Sequence, residues 1–271
     1  MNTRAVAAVA RKDITAVLRN RGVRTPLIVA PLVILVVLPI LLVSGASFLT
    51  ANAVIPADTV PLREFAPETQ AQMTGFTGPG LWAVFVLEFF LAPLYLLVPL
   101  IVATVIAADS FAGERERRTL EALLHTPTTD EDLLLAKLLA SWLPAVAVGL
   151  AGFVVYAVVA NTVAWPLVGR IFFPNAVWVV LALWVSPAIA ALGLGLMVLV
   201  SSRVNSLQAA HQIGSLVVLP VLLLVVGQIV GVSFLSLELV VLAGALLWIG
   251  NAALLTVGAR TFRRDRLAQR L

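Results

Sequence analysis

Cysteine is absent from the 271-residue chain, and histidine and lysine each occur only twice. Without cysteine, the chain can form neither a disulfide nor a thiolate metal site. His125 and His211 lie far apart, and no H-E-x-x-H pair is present, which argues against a zinc site. Neither Lys12 nor Lys137 follows a glycine, so a G-x-x-x-x-G-K-[ST] phosphate loop is missing. The sequence therefore indicates neither a metal site nor an ATP site built on such a phosphate loop.

Charge is also scarce, since Asp, Glu, Lys and Arg make up only 12% of the residues and apolar types make up 61%. A soluble domain usually carries about 25% charged residues. A globular core cannot bury this much Leu, Val and Ala, whereas a bilayer can solvate it. The net charge of +4 does not indicate a nucleic-acid partner, because the basic residues cluster at the edges of the apolar runs.

Six apolar stretches are long enough to cross a bilayer, which takes about 20 residues in a helix. They cover residues 26–48, 84–108, 133–160, 175–200, 213–232 and 237–258. Only a short connection separates the last two stretches, so they can also be interpreted as one span followed by a re-entrant segment. The pattern predicts an all-α integral membrane protein with a single transmembrane domain over residues 1–271.

The positions of the basic residues predict the orientation, because cytoplasmic loops are enriched in Lys and Arg. With six spans, all but two of the 18 basic residues fall on one side, and the exceptions are Arg63 and Arg170. Both termini, including the basic tail 259–271, are then cytoplasmic. The first apolar stretch exceeds the about 7–15 residues of a signal-peptide core. We therefore interpret it as a retained span of a multi-pass protein in a prokaryotic plasma (inner) membrane.

Residues 1–25 carry apolar side chains at helical spacing, with Arg4, Arg11, Lys12 and Arg19 on other faces. This pattern is typical of an amphipathic helix that lies in the membrane interface and turns its basic groups toward anionic lipid.

A polar segment, FAGERERRTLEALLHTP from Phe111 to Pro127, connects the second and third stretches. Glu114 and Arg118 are four residues apart, as are Arg117 and Glu121, and such pairs support a helix. Leucines form a short apolar edge on this helix, and Pro127 ends it. An amphipathic helix that is too polar to enter lipid needs a partner for its apolar edge, either the head-group layer or a cytoplasmic protein.

This segment resembles the cytoplasmic signature of the type-2 ABC transporter permeases. The N-terminal helix resembles the connecting, or elbow, helix of that family. SSRVNSLQAAHQIGSL, which begins at Ser201, resembles a second stretch common in sodium-exporter-like members. As a whole, the chain resembles a sodium-exporter-like or drug-exporter-like membrane subunit of the family. The chain departs from the pattern because its largest external loop, residues 49–83, lies between the first two spans rather than between the fifth and sixth.

The resemblance implies a permease subunit that forms half of the translocation path of an ATP-driven exporter. The implied coupling helix docks on a separate cytoplasmic ABC ATPase, in two copies, which binds the ATP and Mg. The implied ATPase-coupling residues are Glu114, Arg115, Arg117, Arg118, Thr119, Leu120, Glu121 and Leu124. A second permease copy or a homologue would complete the path, and the lipid bilayer surrounds it. No catalytic residue and no cofactor are expected in this chain.

Two polar residues within spans are candidates for the substrate path. Glu88 is the one acid clearly inside a span, and an ionisable group at membrane depth is costly and marks a functional candidate. The alternative is that Glu88 reaches the outer interface or the dipole of a partner. Gln228 lies beside a pair of small residues, Gly227 and Gly231, a pattern that favours close helix packing.

Two other functional classes compete with the permease. A secondary transporter often has internal repeats and several intramembrane charges, and the chain has no repeat and only Glu88. An intramembrane enzyme would need paired acids or a histidine-based motif inside the spans, but His125 and His211 lie at the predicted cytoplasmic margin. The sequence does not identify the transported substrate.

Overall fold

The computed structural model describes residues 3–51, 67–113, 116, 130–201, 204, 206–229 and 236–261. Every regular element in this part of the chain is helical. Six of the helical runs are long and apolar enough to cross a membrane. The predicted all-α architecture with six candidate spans is confirmed.

We name these runs the first to sixth spans. Their bounds are, in order, Arg21–Gly45, Gly78–Gly113, Asp132–Val168, Ala176–Ser201, Gln208–Gly227 and Leu237–Thr256. The α-helices that build them are Arg21–Leu32 with Leu38–Ala51, Gly78–Phe85 with Leu91–Ala108, Asp130–Val168, Ala176–Val180 with Ser186–Ser201, Leu207–Ser215 with Leu219–Ile229, and Leu237–Thr261. A 3-10 turn, Leu216–Val218, joins the two helices of the fifth span.

The second span is longer than the predicted stretch 84–108. Its helix begins at Gly78, after Thr77 in an extended conformation and with Pro79 in the first turn, where a missing N–H costs nothing. Turn-forming residues therefore start a helix here, although the sequence suggests a loop. At the other end the chain remains helical through Asp109–Gly113.

The second span is the centre of the bundle. In its most apolar 18-residue window, 72% of the residues are buried, against 17% in the first and sixth spans. The fourth span and part of the third pack directly against it. The first, fifth and sixth spans lie outside and expose large apolar side chains such as Leu41, Leu223 and Ile249. Such surfaces suit lipid or another apolar partner.

At three positions shortly before a proline, the helix widens into a π-helical segment. These segments are Val33–Val37, Val86–Phe90 and Leu181–Val185. Each precedes a proline within three residues, namely Pro39, Pro93 and Pro187. A proline ring clashes with the carbonyl four residues earlier. In all three cases that carbonyl falls inside the π-helical segment, so the wider turn accommodates the ring.

Side chains from neighbouring spans bind backbone carbonyls of the central spans. Tyr95 Oη donates to the Gly149 carbonyl at 3.1 Å, Trp142 Nε1 donates to the Pro187 carbonyl at 2.9 Å, and Asn251 Nδ2 donates to the Ala188 carbonyl at 2.8 Å. Each bond crosses between two spans, where no water competes. These bonds fix the relative positions of the second, third, fourth and sixth spans.

Helix α1, Thr3–Arg19, packs along the beginning of the third span and buries Val17. The N-terminal segment is thus helical, and its location in the lipid interface remains a prediction. We call the end of the bundle that holds α1 the basic end. The opposite end, which holds the connection between the third and fourth spans at residues 169–175, is the far end.

Candidate functional site

Glu88 lies in the π-helical segment Val86–Phe90 near the far end, and it is only 6% exposed. Its side chain lies beside that of Asn175, and both line one cavity. Asn175 is the N-cap of the fourth span, and its Oδ1 accepts from the Trp178 amide at 3.0 Å. The Asn175 amide nitrogen is therefore the group of this side chain that can donate to an acid. Glu88 thus lies at the level where the fourth span begins, beside the positive end of its helix dipole.

Hydrogen bonds from other spans also hold the backbone at Glu88. Leu91 N–H bonds to the Val86 carbonyl in the five-residue pattern of a π-helix. Two residues further on, this pattern would require an N–H from Pro93 for the Glu88 carbonyl, and proline has none. Trp178 Nε1 supplies the missing donor at 2.9 Å. Tyr156 Oη likewise donates to the neighbouring Leu87 carbonyl at 2.6 Å.

Trp178 and Tyr156 belong to a buried aromatic cluster that also includes Tyr95, Phe153 and Phe173. The rings of Tyr156 and Trp178 stack at 4.8 Å, and Phe173 meets Trp178 edge-on at the same distance. Tyr95 lies 5.4 Å from Trp178. Buried aromatic pairs stabilise by about 0.5–1.5 kcal/mol each beyond the area that they bury. The cluster gives Glu88 a rigid support.

The connection at residues 169–175 is fastened to the third span by one side chain. Asn161 Nδ2 donates to the Phe173 carbonyl at 2.8 Å, and Asn161 Oδ1 accepts from the Phe172 and Phe173 amides at 3.1 and 3.3 Å. Gly169 begins the connection with φ +66°, a conformation that favours glycine. The chain therefore turns sharply and returns toward Glu88.

These elements enclose a cavity of about 320 Å³ at the far end. Its lining residues are Phe76, Glu88, Arg170, Ile171, Phe172 and Asn175. The buried Glu88 forms the deep part, while the exposed Arg170 and Ile171 form the rim. The Arg170 guanidinium lies over the Phe76 ring, 4.2 Å from its centroid. Arg170 and Glu88 line the same cavity but form no ion pair with each other.

A second polar cluster lies at the basic end. Lys137, at the beginning of the third span, is 0% exposed, and its Nζ donates to the Ser110 carbonyl at 2.9 Å. The same Nζ lies 3.6 Å from Oδ2 of Asp13 in α1, which is also buried. Lys12 lies 3.2 Å from the other Asp13 oxygen. One ammonium group thus joins α1, the end of the second span and the start of the third.

All eight predicted coupling residues lie outside the described part of the chain. These are Glu114, Arg115, Arg117, Arg118, Thr119, Leu120, Glu121 and Leu124. The described residues on either side, Gly113 and Asp130, continue from the helices of the second and third spans. The predicted coupling helix therefore remains a prediction, and its attachment points lie next to the Lys137 cluster.

Of the two candidates for the substrate path, the structure describes the side chain of Glu88 and not that of Gln228. Glu88 lines the far-end cavity and lies near the start of the fourth span, whose helix dipole is one partner named by the alternative interpretation. Its role in a substrate path stays a prediction. Gln228 belongs to the helix Leu219–Ile229, and the structure does not describe its side chain. Gly231 also lies outside the described residues, so the predicted small-residue contact around Gly227 stays a prediction.

The sequence analysis did not single out Asn175, Asn161 or the pairing of Lys137 with Asp13. Asn175 had a detectable signal, because an asparagine just before an apolar helix is a preferred N-cap. The sequence signal for Asn161 was weaker. It is a polar residue at the end of a long apolar run, and such a residue needs hydrogen-bond partners. Nothing in the sequence pairs Lys137 with Asp13, which are distant along the chain and meet only through packing of α1.

An all-helical bundle with six apolar spans and a polar cavity beside the central span defines a multi-pass membrane protein of the transporter type. The model of the ABC-2 family transporter protein matches residues 7–249. The chain therefore belongs to the ABC-2 transporter family, and it is a membrane permease component of an ABC transporter. Such a component is generally non-catalytic and associates with an ABC ATPase and the membrane. No curated protein matches the chain.

Proposed function

We propose that this permease is the membrane half of an ATP-driven exporter and that a separate cytoplasmic ATPase moves it through residues 114–125. ATP and Mg bind to that ATPase, since this chain has no phosphate loop. Two permease copies, or one copy and a homologue, form the translocation path. Glu88 and Gln228 are the proposed path residues.

The observation that carries the proposal is the Lys137 cluster. It joins the two spans that flank the proposed coupling segment and joins both to α1. A buried ammonium group is costly unless it is paired, so breaking these contacts one at a time is unfavourable. A displacement of the coupling segment would therefore move the ends of the second and third spans together with α1.

Apolar packing at the basic end extends the same connection. Phe111 and Leu133 belong to one buried cluster with Met197 of the fourth span and Ala210 of the fifth. The ends of four spans are thus in contact close to the coupling segment. In this mechanism the partner ATPase moves a packed unit rather than a single helix.

The orientation follows from the charge distribution. In this orientation the basic end faces the cytoplasm of a prokaryotic cell, both termini are cytoplasmic, and the cavity around Glu88 lies on the external side. Release of the substrate on that external side would make the transporter an exporter. ATP-dependent uptake of substrate into inverted membrane vesicles would demonstrate this direction, and uptake into right-side-out vesicles alone would contradict it.

Co-purification with the ATPase tests the coupling step. The chain would be purified from cells that co-express the partner ABC ATPase. Two forms would be compared, the wild type and the double variant Glu114→Ala/Leu120→Ala. The matched control is Glu238→Ala/Leu239→Ala, which removes the same two residue types at the exposed start of the sixth span. We expect the first variant to lose the ATPase or its coupled hydrolysis and the control to retain both. Equal behaviour of the two variants would refute the coupling proposal.

A further inference from the structure

The cavity at the far end is lined by an acidic and a basic side chain that form no ion pair with each other. Glu88 is a buried acid, and Asn175 beside it is uncharged. Arg170 is exposed at the rim and forms no ion pair with a described acid. No described basic residue forms an ion pair with Glu88. A buried acid of this kind is costly in a membrane protein and marks a functional site by default. A ligand that brings a positive charge to Glu88 would remove that cost.

Arg170 is held in a position that leaves it able to bind an anion. Its guanidinium uses its flat face against the Phe76 ring, at 4.2 Å from the centroid. The N–H donors of a guanidinium point outward in its plane. No described side chain uses them, so within the described residues they can bind a phosphate or carboxylate at the rim. Phe76 in turn meets Phe172 edge-on at 6.4 Å, which fixes the stacked ring.

The position of the cavity favours an amphiphile as one source of such a ligand. It opens where the fourth span begins, which is the expected level of a bilayer surface. Ile171 at its rim is 75% exposed, and Trp165 nearby on the third span is 54% exposed. Exposed Trp side chains are typical of the membrane interface. A volume of about 320 Å³ lies at the lower limit of ligand pockets and suits a small head group rather than a whole lipid.

We propose that this cavity binds a zwitterion, with its ammonium group beside Glu88 and its anionic group beside Arg170. This is the chemistry of a phosphocholine or phosphoethanolamine group, either on an amphiphile or free in solution. A simple cation would use Glu88 but be opposed by Arg170, and a simple anion would meet Glu88. The inference deepens the proposed function by naming the substrate class, and it rests on that function for the step of transport.

The absence of cysteine from the chain allows a direct binding assay. Ile171→Cys places a single thiol at the rim of the cavity, and its rate of maleimide labelling would be measured on the purified full chain in maltoside micelles. The probes are dodecylphosphocholine, dodecyltrimethylammonium and dodecyl phosphate, which share one tail and differ in charge, together with free phosphocholine. We expect dodecylphosphocholine to slow labelling by about tenfold at concentrations where the cationic and anionic probes have little effect.

Charge-neutral variants in the same background identify the groups responsible. Glu88→Gln should abolish protection by the zwitterion. Arg170→Gln should abolish the preference for the zwitterion over the cation. Because Arg170 is exposed, we expect this variant to fold like the parent. Glu238→Gln is the matched control, since it removes an exposed carboxylate at the far end that does not line the cavity. It should behave like the parent.

Two results would overturn the proposal: equal protection by the three dodecyl probes, or protection that survives in Glu88→Gln. Either would indicate that the dodecyl tail alone shields the thiol. No protection by dodecylphosphocholine or phosphocholine would overturn it as well. Protection by free phosphocholine as strong as that by the amphiphile supports the zwitterion site and identifies a soluble source. Protection by the amphiphile alone identifies a lipid-like source. The assay needs no ATPase, so its failure is distinguishable from a failure of the coupling proposal.

Discussion

Lys137 Nζ lies 3.6 Å from Asp13 Oδ2, and both side chains are shielded from solvent, at 0% and 3% exposure. The ammonium group also donates to the Ser110 carbonyl at 2.9 Å. A long cationic side chain is rarely buried without partners. Here its burial joins the N-terminal helix to the two spans that flank the proposed coupling segment.

Removing one member of this pair should destabilise the protein more than removing both. Asp13→Asn removes one acidic partner of the buried ammonium group, and breaking a buried pair in this way costs about 3–5 kcal/mol. The double variant Asp13→Leu/Lys137→Met should recover much of that loss, because both charges of this pair are removed together. Thermal unfolding of the purified chain in maltoside micelles measures both effects. An additive loss in the double variant would show that the two side chains act independently.

Trp178→Phe should weaken the support of the π-helical segment. The variant keeps an aromatic ring in the buried cluster but removes the donor to the Glu88 carbonyl. An unsatisfied buried carbonyl costs about 1–3 kcal/mol. Trp184→Phe is the matched control, since the Trp184 Nε1 bond to the Val241 carbonyl is longer, at 3.2 Å, and Trp184 is 40% exposed. The melting temperature should fall clearly for the first variant and little for the second; the reverse order would contradict the role of Trp178.

Asn161→Ala should release the connection that forms the cavity rim. It removes three hydrogen bonds to Phe172 and Phe173. Hydrogen exchange at these two amides should then accelerate by about tenfold or more, as expected for a loss of at least about 1.4 kcal/mol. Asn161→Asp, which keeps the acceptor, should fall between the variant and the wild type. Thr162→Ala alters an exposed neighbour bonded only within its own helix, and a similar acceleration there would refute the proposed role of Asn161.

Gly80→Ala should separate the second and third spans at the far end. A Cβ at this position would lie 2.8 Å from the Leu167 carbonyl oxygen, which is backbone and cannot rotate away. Overpacking of this kind costs about 1–3 kcal/mol. A Cβ at Gly250 would meet nothing within 4 Å, so Gly250→Ala should be neutral or stabilise the sixth span by up to about 1 kcal/mol. A stable Gly80→Ala protein with an unchanged melting temperature would contradict the close contact.

Much of the architecture followed from the sequence because a membrane helix is a local property. A run of about 20 apolar residues must be helical in lipid, since every backbone group needs a partner within its own segment. The six spans were therefore predictable from Leu, Val and Ala content alone. Glu88 was identifiable for the same reason, as a charged residue inside such a run. The family resemblance rested on the local segment from Phe111 to Pro127.

The details of the site depended on contacts between residues distant in sequence. The π-helical segment around Glu88 requires Pro93, but its stability requires Trp178 and Tyr156 from two other spans. Likewise, the cavity exists because Asn161 returns the connection at residues 169–175 toward Glu88.

The sequence by itself determined that the chain is a helical membrane protein with six spans and an acid in the second. Only the tertiary structure decided that this span is central, that Glu88 faces Asn175 and a cavity, and that Lys137 meets Asp13. The physical reason is that helix formation in lipid depends on the composition of one segment. The pairing of buried polar groups depends on which helices pack together, and many apolar faces are equivalent in composition.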